Sequence, residues 1–283
     1  MKKLILLSLV AIIFVSGCID FGGSRAFFGI SEITDNPDMY MLIEASTDQI
    51  KVDRYVQLRL TVENDGDSTL SNMKINAYDQ CLFAGDSVKD IVELRPNKSS
   101  MWIWKWQAIN TEIDRDCTIR LKTEYDTETK VEERFNVLTE SEFYAREEQG
   151  RLKEIRGSSS TTDNTLKINV EFSEAQPFLE GEQIFAYISY TDIGKGFLNK
   201  LEGGNVTIEF PNNAENVHCS GYSGEGNTLT LMNGLTFVKR VAPQTTCKFT
   251  TKANQLVDIG DMSIIAKYKY QFDNSLLLKV TAK

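Results

Sequence analysis

Chemistry in this chain would have to come from few residue types. There is one histidine, His218, among 283 residues. A Ser-His-Asp triad, a Cys-His dyad and a multi-histidine metal site all depend on imidazole. His218 adjoins Cys219, and a solvated or capping histidine is the expected role. Glu63, Asp65 and Asp67 lie near one turn, where carboxylates and backbone carbonyls together suit calcium. The spacing of an EF-hand loop and its distal Glu are missing, and a plain hairpin turn accounts for Asn64-Asp65-Gly66-Asp67. Glu132–Glu133 and Glu147–Glu148 point to opposite faces of a strand or splay on a helix. Their spacing makes no acid/base pair. No catalytic residue, metal site or cofactor is expected.

All three tryptophans stand in Trp102-Ile103-Trp104-Lys105-Trp106. On a strand, residues at i, i+2 and i+4 share a face, and Met101, Ile103, Lys105 and Gln107 take the other. Two readings compete. The row is either sandwich core or a partly exposed platform for a sugar chain or a protein. Large aromatics are mostly buried, which favours core, and a mixed case puts Trp104 inside and Trp106 at the rim. Asn97-Lys98-Ser99 and Asn205-Val206-Thr207 match the N-glycosylation pattern. The first follows Pro96 in an expected turn; the second falls in an expected strand and reads as chance.

The elements that must carry these residues are strands. Val56, Leu58, Leu60 and Val62 alternate with Gln57, Arg59, Thr61 and Glu63, the period of a half-buried strand. Met73, Ile75 and Ala77 continue the pattern. Cys117, Ile119 and Leu121 share a face, as do Val131, Phe135 and Val137. Ile184, Ala186 and Ile188 form another set, as do Val206, Ile208 and Phe210. Ile264, Ala266, Tyr268 and Tyr270 follow, and Leu276 to Val280 reads as the last strand. Glu140 to Arg156 breaks the alternation with charge-rich helix formers, and Gly157 to Thr162 has linker composition.

The two sides of that break look like divergent repeats. IKVDRYVQLRLTVENDG (50–66) sits opposite FLEGEQIFAYISYTDIG (178–194), and TEYDTETKVEERFNVL (123–138) parallels YKYQFDNSLLLKVTA (268–282). Each of the latter pair reads as a terminal hairpin. The fold expected is all-β, with two tandem immunoglobulin-like β-sandwich domains after a signal peptide. The expected divisions are a signal peptide at 1–17, a tether at 18–39 that includes an early edge strand in one reading, and a first sandwich at 40–139. A charged linker with helical character at 140–164 and a second sandwich at 165–283 complete them.

That division sorts the cysteines. Cys81, Cys117, Cys219 and Cys247 permit three pairings, and two per domain selects Cys81–Cys117 and Cys219–Cys247. Each bond would close a loop of roughly 30 to 37 residues, worth about 3 to 4 kcal/mol in the chain-entropy model. Free thiols and a metal site are the competing readings, and the spacing does not suit CxxC zinc geometry.

The fifth cysteine has another role. Lys2 and Lys3 precede an apolar run from Leu4 to Val15, and Val15-Ser16-Gly17-Cys18 follows. A basic start, an apolar stretch and small residues at a cut site mark a secretory signal. The stretch resembles the lipobox of prokaryotic lipoproteins, which implies cleavage before Cys18 and lipid attachment to it. As an uncleaved helix, Leu4 to Ile19 would span about 24 Å at roughly 1.5 Å per residue, short of a hydrocarbon core of about 30 Å. Either reading puts the remainder outside the membrane.

At VQLRLTVENDGDS and LSNMKI (56–75), then ELRPNKSSMWIWKW (93–106), the chain also resembles CARDB-type immunoglobulin-like domains of bacterial and archaeal surface proteins. Asn97 stands where Gly after Pro is common, and the second half lacks the Asn-x-Gly. The resemblance implies a β-sandwich used for adhesion or spacing, with no catalytic residue.

Without Lys2 and Lys3, 29 basic residues face 40 acidic ones, a net charge of −11. That argues against nucleic acid, whose affinity is dominated by basic contacts to phosphate. The expected function is a non-enzymatic, membrane-anchored envelope protein on the outer face of the cell membrane. It would act as a binding or structural module with an envelope protein or glycan partner. A carbohydrate-binding protein using Trp102, Trp104 and Trp106 is the second reading.

Overall fold

The computed structural model describes residues 31–162 and 165–282. The predicted signal peptide and Cys18 lie outside the described residues. The chain is all-β, and its strands form a long shared sheet with two smaller sheets packed on one face.

The first small sheet runs β1 (Ser31–Asn36), β2 (Met39–Ala45), β4 (Tyr55–Glu63), β8 (Ser99–Ala108) and β6 (Phe83–Ala84). The shared sheet runs β17 (Tyr222–Glu225), β18 (Thr228–Leu231), β15 (Val206–Glu209), β21 (Val257–Thr281), β9 (Arg115–Leu138), β5 (Leu70–Asp79) and β7 (Val88–Leu94). Short strands join its flanks: β3 (Gln49–Lys51) beside β21, and β10 (Ser159–Thr161) and β12 (Phe178–Leu179) beside β9. The second small sheet runs β11 (Leu166–Phe172), β13 (Gln183–Asp192), β20 (Thr245–Thr251) and β16 (Ala214–Cys219). A ribbon of β14 (Lys200–Leu201) and β19 (Leu235–Thr236) lies apart.

The alternation read in the sequence is the alternation of burial. Val56, Leu58, Leu60 and Val62 point inward from β4, and Ile184, Ala186, Ile188 and Tyr190 from β13. What differs is strand length. β9 has 24 residues and β21 has 25, and they pair antiparallel from Val257↔Leu138 to Val280↔Arg115. The expected hairpins at 123–138 and 268–282 do not form. The inward phase passes unbroken from Cys117 through Thr123, Tyr125, Thr127 and Thr129 to Val131. In β21 every even position from Gly260 to Val280 is buried. Polar residues near the strand middles resemble a turn, but several of them are the inward rungs where the small sheets meet.

The division at 140–164 follows the order of the chain but not its pairing. The distal part of β21 pairs with the first half of β9 and ends parallel to β3, in the region assigned to the first sandwich. The tether expected at 18–39 includes β1 and the start of β2, paired from Ser31↔Glu44 to Asn36↔Met39. The 140–164 segment begins with helix α1 (Glu140–Glu148), which buries no residue. Glu140 and Glu142 in its first turn and Arg146 in its last suit the helix dipole. Its Ser-rich end is not a loose linker: β10 pairs with Glu133, Glu132 and Val131. A Cβ on Gly157 would come within 2.0 Å of the Arg134 carbonyl oxygen.

The four described cysteines pair as expected, Cys81 with Cys117 and Cys219 with Cys247, at Cα separations of 5.6 and 3.9 Å. The second pair joins neighbouring strands in register. Disulfides belong to an oxidising compartment. No helix among the described residues is long and apolar enough to cross a membrane.

Candidate functional site

The tryptophan row is mainly core. Trp104 and Trp106 are 2 % and 0 % exposed, whereas Trp102 is partly buried against the same cluster. The gradient runs opposite to the mixed case: Trp106 is the innermost and Trp102 the rim. Trp106 sits under the strap of Phe83 to Asp86, and its Nε1 donates to the Asp86 carbonyl oxygen at 2.7 Å. A Cβ on Gly85 would lie 2.2 Å from the Trp106 ring, so the strap crosses there only as glycine. The Cys81–Cys117 bond ties the start of that strap to β9. A three-tryptophan platform is therefore overturned. The sheet's hydrophobic requirement claimed two indoles, and the face of β8 turned to solvent carries Met101 and Ile103 instead.

Asn97 is exposed in the turn before β8, with φ +57, a conformation Asn tolerates better than most residues. His218 is exposed on β16, opposite Lys248. The turn after β4 is organised by Asn64, which is fully buried. Its Nδ2 donates to the carbonyls of Ser68 at 2.9 Å and Leu94 at 2.7 Å, and its Oδ1 accepts from the Gly66 N–H at 3.0 Å. Among the described residues no group of three or more His, Cys, Asp or Glu side chains is arranged to hold a metal ion.

Of the polar residues that do converge, the sequence pattern marked only Tyr268 and Tyr270, as members of one strand face. The converging residues lie at the waist, where the two small sheets meet over the middle of β9 and β21. Tyr125 donates to Asp38 Oδ1 at 2.9 Å, and its ring lies 5.8 Å from that of Tyr270. Tyr270 donates to Asp192 Oδ1 at 3.2 Å. Asp192 also accepts the N–H groups of Gly194 and Leu198 at 3.1 and 3.2 Å and faces Arg240 Nη1 at 3.4 Å. The guanidinium of Arg240 donates to the carbonyls of Gly194 and Gly196. Tyr268 shares its hydroxyl with Thr129 and Thr165, each at 3.1 Å. The Lys195 N–H donates to Asn36 Oδ1 at 2.8 Å, a direct bond between the halves.

Burial sets the protonation of this cluster. It holds the phenols of Tyr125, Tyr268 and Tyr270 well above the ordinary tyrosine value, and the charges of Asp38 and Asp192 push Tyr125 and Tyr270 further. Burial also raises Asp192, opposed by its backbone hydrogen bonds and by Arg240. Neutral phenols act here as hydrogen-bond donors to carboxylates, an arrangement suited to fixing geometry rather than moving protons.

The opposite face of the sheet at the waist carries an open cleft of about 880 Å³. Asp126 and Glu128 on β9 stand opposite Lys269 and Lys267 on β21 and form its floor. Ser71 lines one side, and Phe197, Asn199 and Asn205 the other. The alternation of Ile264 to Tyr270 set Lys267 and Lys269 outward, but a hairpin was expected at 123–138, and only the pairing along the shared sheet placed acid opposite base.

No family model and no curated protein matches the chain. Similarity to solved structures is slight. The secreted serine protease VesC from Vibrio cholerae aligns over 80 % of this chain and 49 % of its own, at 9 % identity and TM-score 0.21. A Porphyromonas gingivalis W83 protein of unknown function aligns over 79 % and 84 %, at 10 % identity and TM-score 0.20. A red sea bream transglutaminase aligns over 90 % and 31 %, at 9 % identity and TM-score 0.20. The chain thus spans about half the length of the protease and a third of the transglutaminase, and likeness at this level supports neither an enzymatic nor a non-enzymatic role.

Proposed function

We propose that this protein is a non-enzymatic surface lipoprotein, tethered through Cys18, that serves as a rigid binding or structural module of the cell envelope. The observation that carries the reading is the run of paired residues from Val257↔Leu138 to Val280↔Arg115. Two strands common to both halves resist bending at the waist better than a flexible linker, and the buried tyrosine–aspartate bonds brace the same point. A stiff body of this kind suits holding a partner at a fixed distance from an anchor. Its partner class is an envelope protein. Cys18→Ser tests the anchor: the substituted protein moves to the soluble fraction of disrupted cells, and unchanged membrane retention overturns the lipid. Crosslinking in intact cells tests the module, and recovery of no envelope protein counts against it.

A second reading, glycan binding, moves from the tryptophan row to the waist cleft. The specific support is a floor of paired opposite charges beside two amides and Phe197, which is 38 % exposed. Amides and carboxylates suit vicinal hydroxyls, and an exposed ring gives a sugar a stacking face. On a glycan array, binding lost on Phe197→Ala favours this reading; binding lost on Trp102→Ala instead returns it to β8.

A further inference from the structure

Strand β7 forms one edge of the shared sheet. It pairs with β5 from Leu70↔Leu94 to Asn76↔Val88, and no described strand pairs on its other side. Edges of this kind are usually short, kinked or covered, because a row of unpaired backbone groups is a template for another strand. Two other edges of this protein follow that rule. β16 shifts register between Glu215 and His218, and Asn216 there has φ +55. β17 has four residues. β7 has seven residues, and it leaves Val92 83 % and Val88 38 % exposed.

The order of residues on β7, Val88-Lys89-Asp90-Ile91-Val92-Glu93-Leu94, is complementary to itself. In an antiparallel pair centred on Ile91, Lys89 of each copy stands opposite Glu93 of the other, Val88 opposite Leu94, Asp90 opposite Val92, and Ile91 opposite itself. Neighbouring registers are worse. A shift of one residue in one direction sets Asp90 against Glu93, and a shift of two in either direction parts Lys89 from Glu93, in one case with Asp90 against Asp90. Opposite charges across a strand pair stabilise and like charges destabilise, so charge selects one register. Within one chain Glu93 already pairs with Arg95, which leaves the carboxylate between two cations in the paired state.

We propose that β7 is a self-association edge, joining two copies of this chain through an isologous antiparallel strand pair centred on Ile91. A two-fold pair is the common closed form of a homodimer. It covers part of the exposed Val88 and Val92 and satisfies the outward backbone groups of both edges. β11 offers a similar order, Leu166-Lys167-Ile168-Asn169-Val170-Glu171-Phe172, but none of its apolar side chains is among the exposed large hydrophobics. It lacks the apolar gain, and the proposal assigns the contact to β7 alone.

The test is a charge swap read by crosslinking and mass. In the full-length chain, Ile91→Cys places one thiol opposite its counterpart, and a disulfide-linked dimer appears on non-reducing gels. Asn169→Cys on β11 gives none. Adding Lys89→Glu or Glu93→Lys to Ile91→Cys lowers the linked fraction about tenfold, and both together restore it. Light scattering on the detergent-solubilised protein without the added cysteine shows the same order, with tryptophan emission unchanged as the control for folding. A monomeric wild type overturns the proposal. So does a dimer indifferent to the single swaps, or one that the double swap fails to restore.

Discussion

Asn64 in the first half and Asp192 in the second end matching central strands, β4 and β13, and each accepts the N–H of a glycine two residues on. Their other bonds differ. The amide of Asn64 has donors, and it satisfies two carbonyls within its own half. The carboxylate of Asp192 only accepts, so it draws in the Leu198 N–H, the Tyr270 hydroxyl and Arg240. One turn plan thus gives a neutral local knot in one half and a charged cross-link to a shared strand in the other. The halves are repeats in plan but not in dependence: the second half's turn is bonded to the strand that also builds the first half's core.

The largest test of that view removes β21. Phe272, Leu276, Leu278 and Val280 belong to the buried core beside the first small sheet. A chain ending after Leu256 is expected to lose cooperative unfolding in both halves, and a chain ending after Thr162 to lose it in the first. The three tryptophans all report on the first half, so urea titration of their emission reads that half, and far-ultraviolet circular dichroism of the same samples reads the whole chain. A native-like transition from the 1–162 chain would break the comparison and restore two independent domains.

Core substitutions come next. Trp106→Ala in the first half and Phe249→Ala in the second should each cost about 3 to 5 kcal/mol in urea denaturation, because both are essentially fully buried. Trp102→Ala should cost less than about 1.5 kcal/mol, as only part of its surface leaves water. An equal loss at Trp102 and Trp106 would contradict the burial gradient. Replacing either cysteine pair with alanine should remove about 3 to 4 kcal/mol on loop length alone, for sequence separations of 36 and 28. A clearly larger loss at Cys81–Cys117 would show that its strap over Trp106 contributes beyond loop closure.

The smallest effect is the most specific to the comparison. Burial raises the Asp192 carboxyl from its ordinary 3.8. The folded chain therefore keeps its proton at a pH where the unfolded chain has lost it, and this contribution to stability is full below 3.8 and falls as pH climbs through the raised value. Asp192→Asn removes that dependence, and its new amide faces donors, a loss of about 1 to 2 kcal/mol at neutral pH. Asn64→Asp should introduce a pH dependence of the same sign in the first half. Stability measured from pH 3 to 8 checks both, and parallel profiles for wild type and Asp192→Asn would show that the Asp192 carboxyl does not set the pH dependence.

Much of the fold was legible because alternation of apolar residues is a direct record of which face is buried. β4, β8 and β13 follow from it; the helix at Glu140 follows from charged helix formers where the alternation breaks, and both cysteine pairs from two cysteines on each side of that break. The long strands were missed for a definite reason. Asp126 to Thr129 and Asp273 to Ser275 have turn-like composition, and only the unbroken phase of the inward positions shows that the chain runs straight through them. The waist cluster was missed because its members are distant in sequence: Asp38 and Tyr125 are 87 residues apart, and Asp192 and Tyr270 are 78. Local pattern says nothing about pairing at that range. The tryptophans were visible at once, but which of them is covered depends on the strap from Phe83 to Asp86, whose path only the disulfide and Gly85 define.

At roughly 3.3 Å per residue, β21 is a rail of about 80 Å to which both halves are fastened. Its position in the chain sets an order of events. Synthesis proceeds from the N-terminus, so β1 through β20 emerge before the rail exists. Until Val257 to Thr281 arrives, β9 lacks its principal neighbour, and both halves hold apolar faces in water. Neither half can finish first. The nascent chain must stay unfolded or sheltered until β21 is made, and then both halves close together as that strand docks.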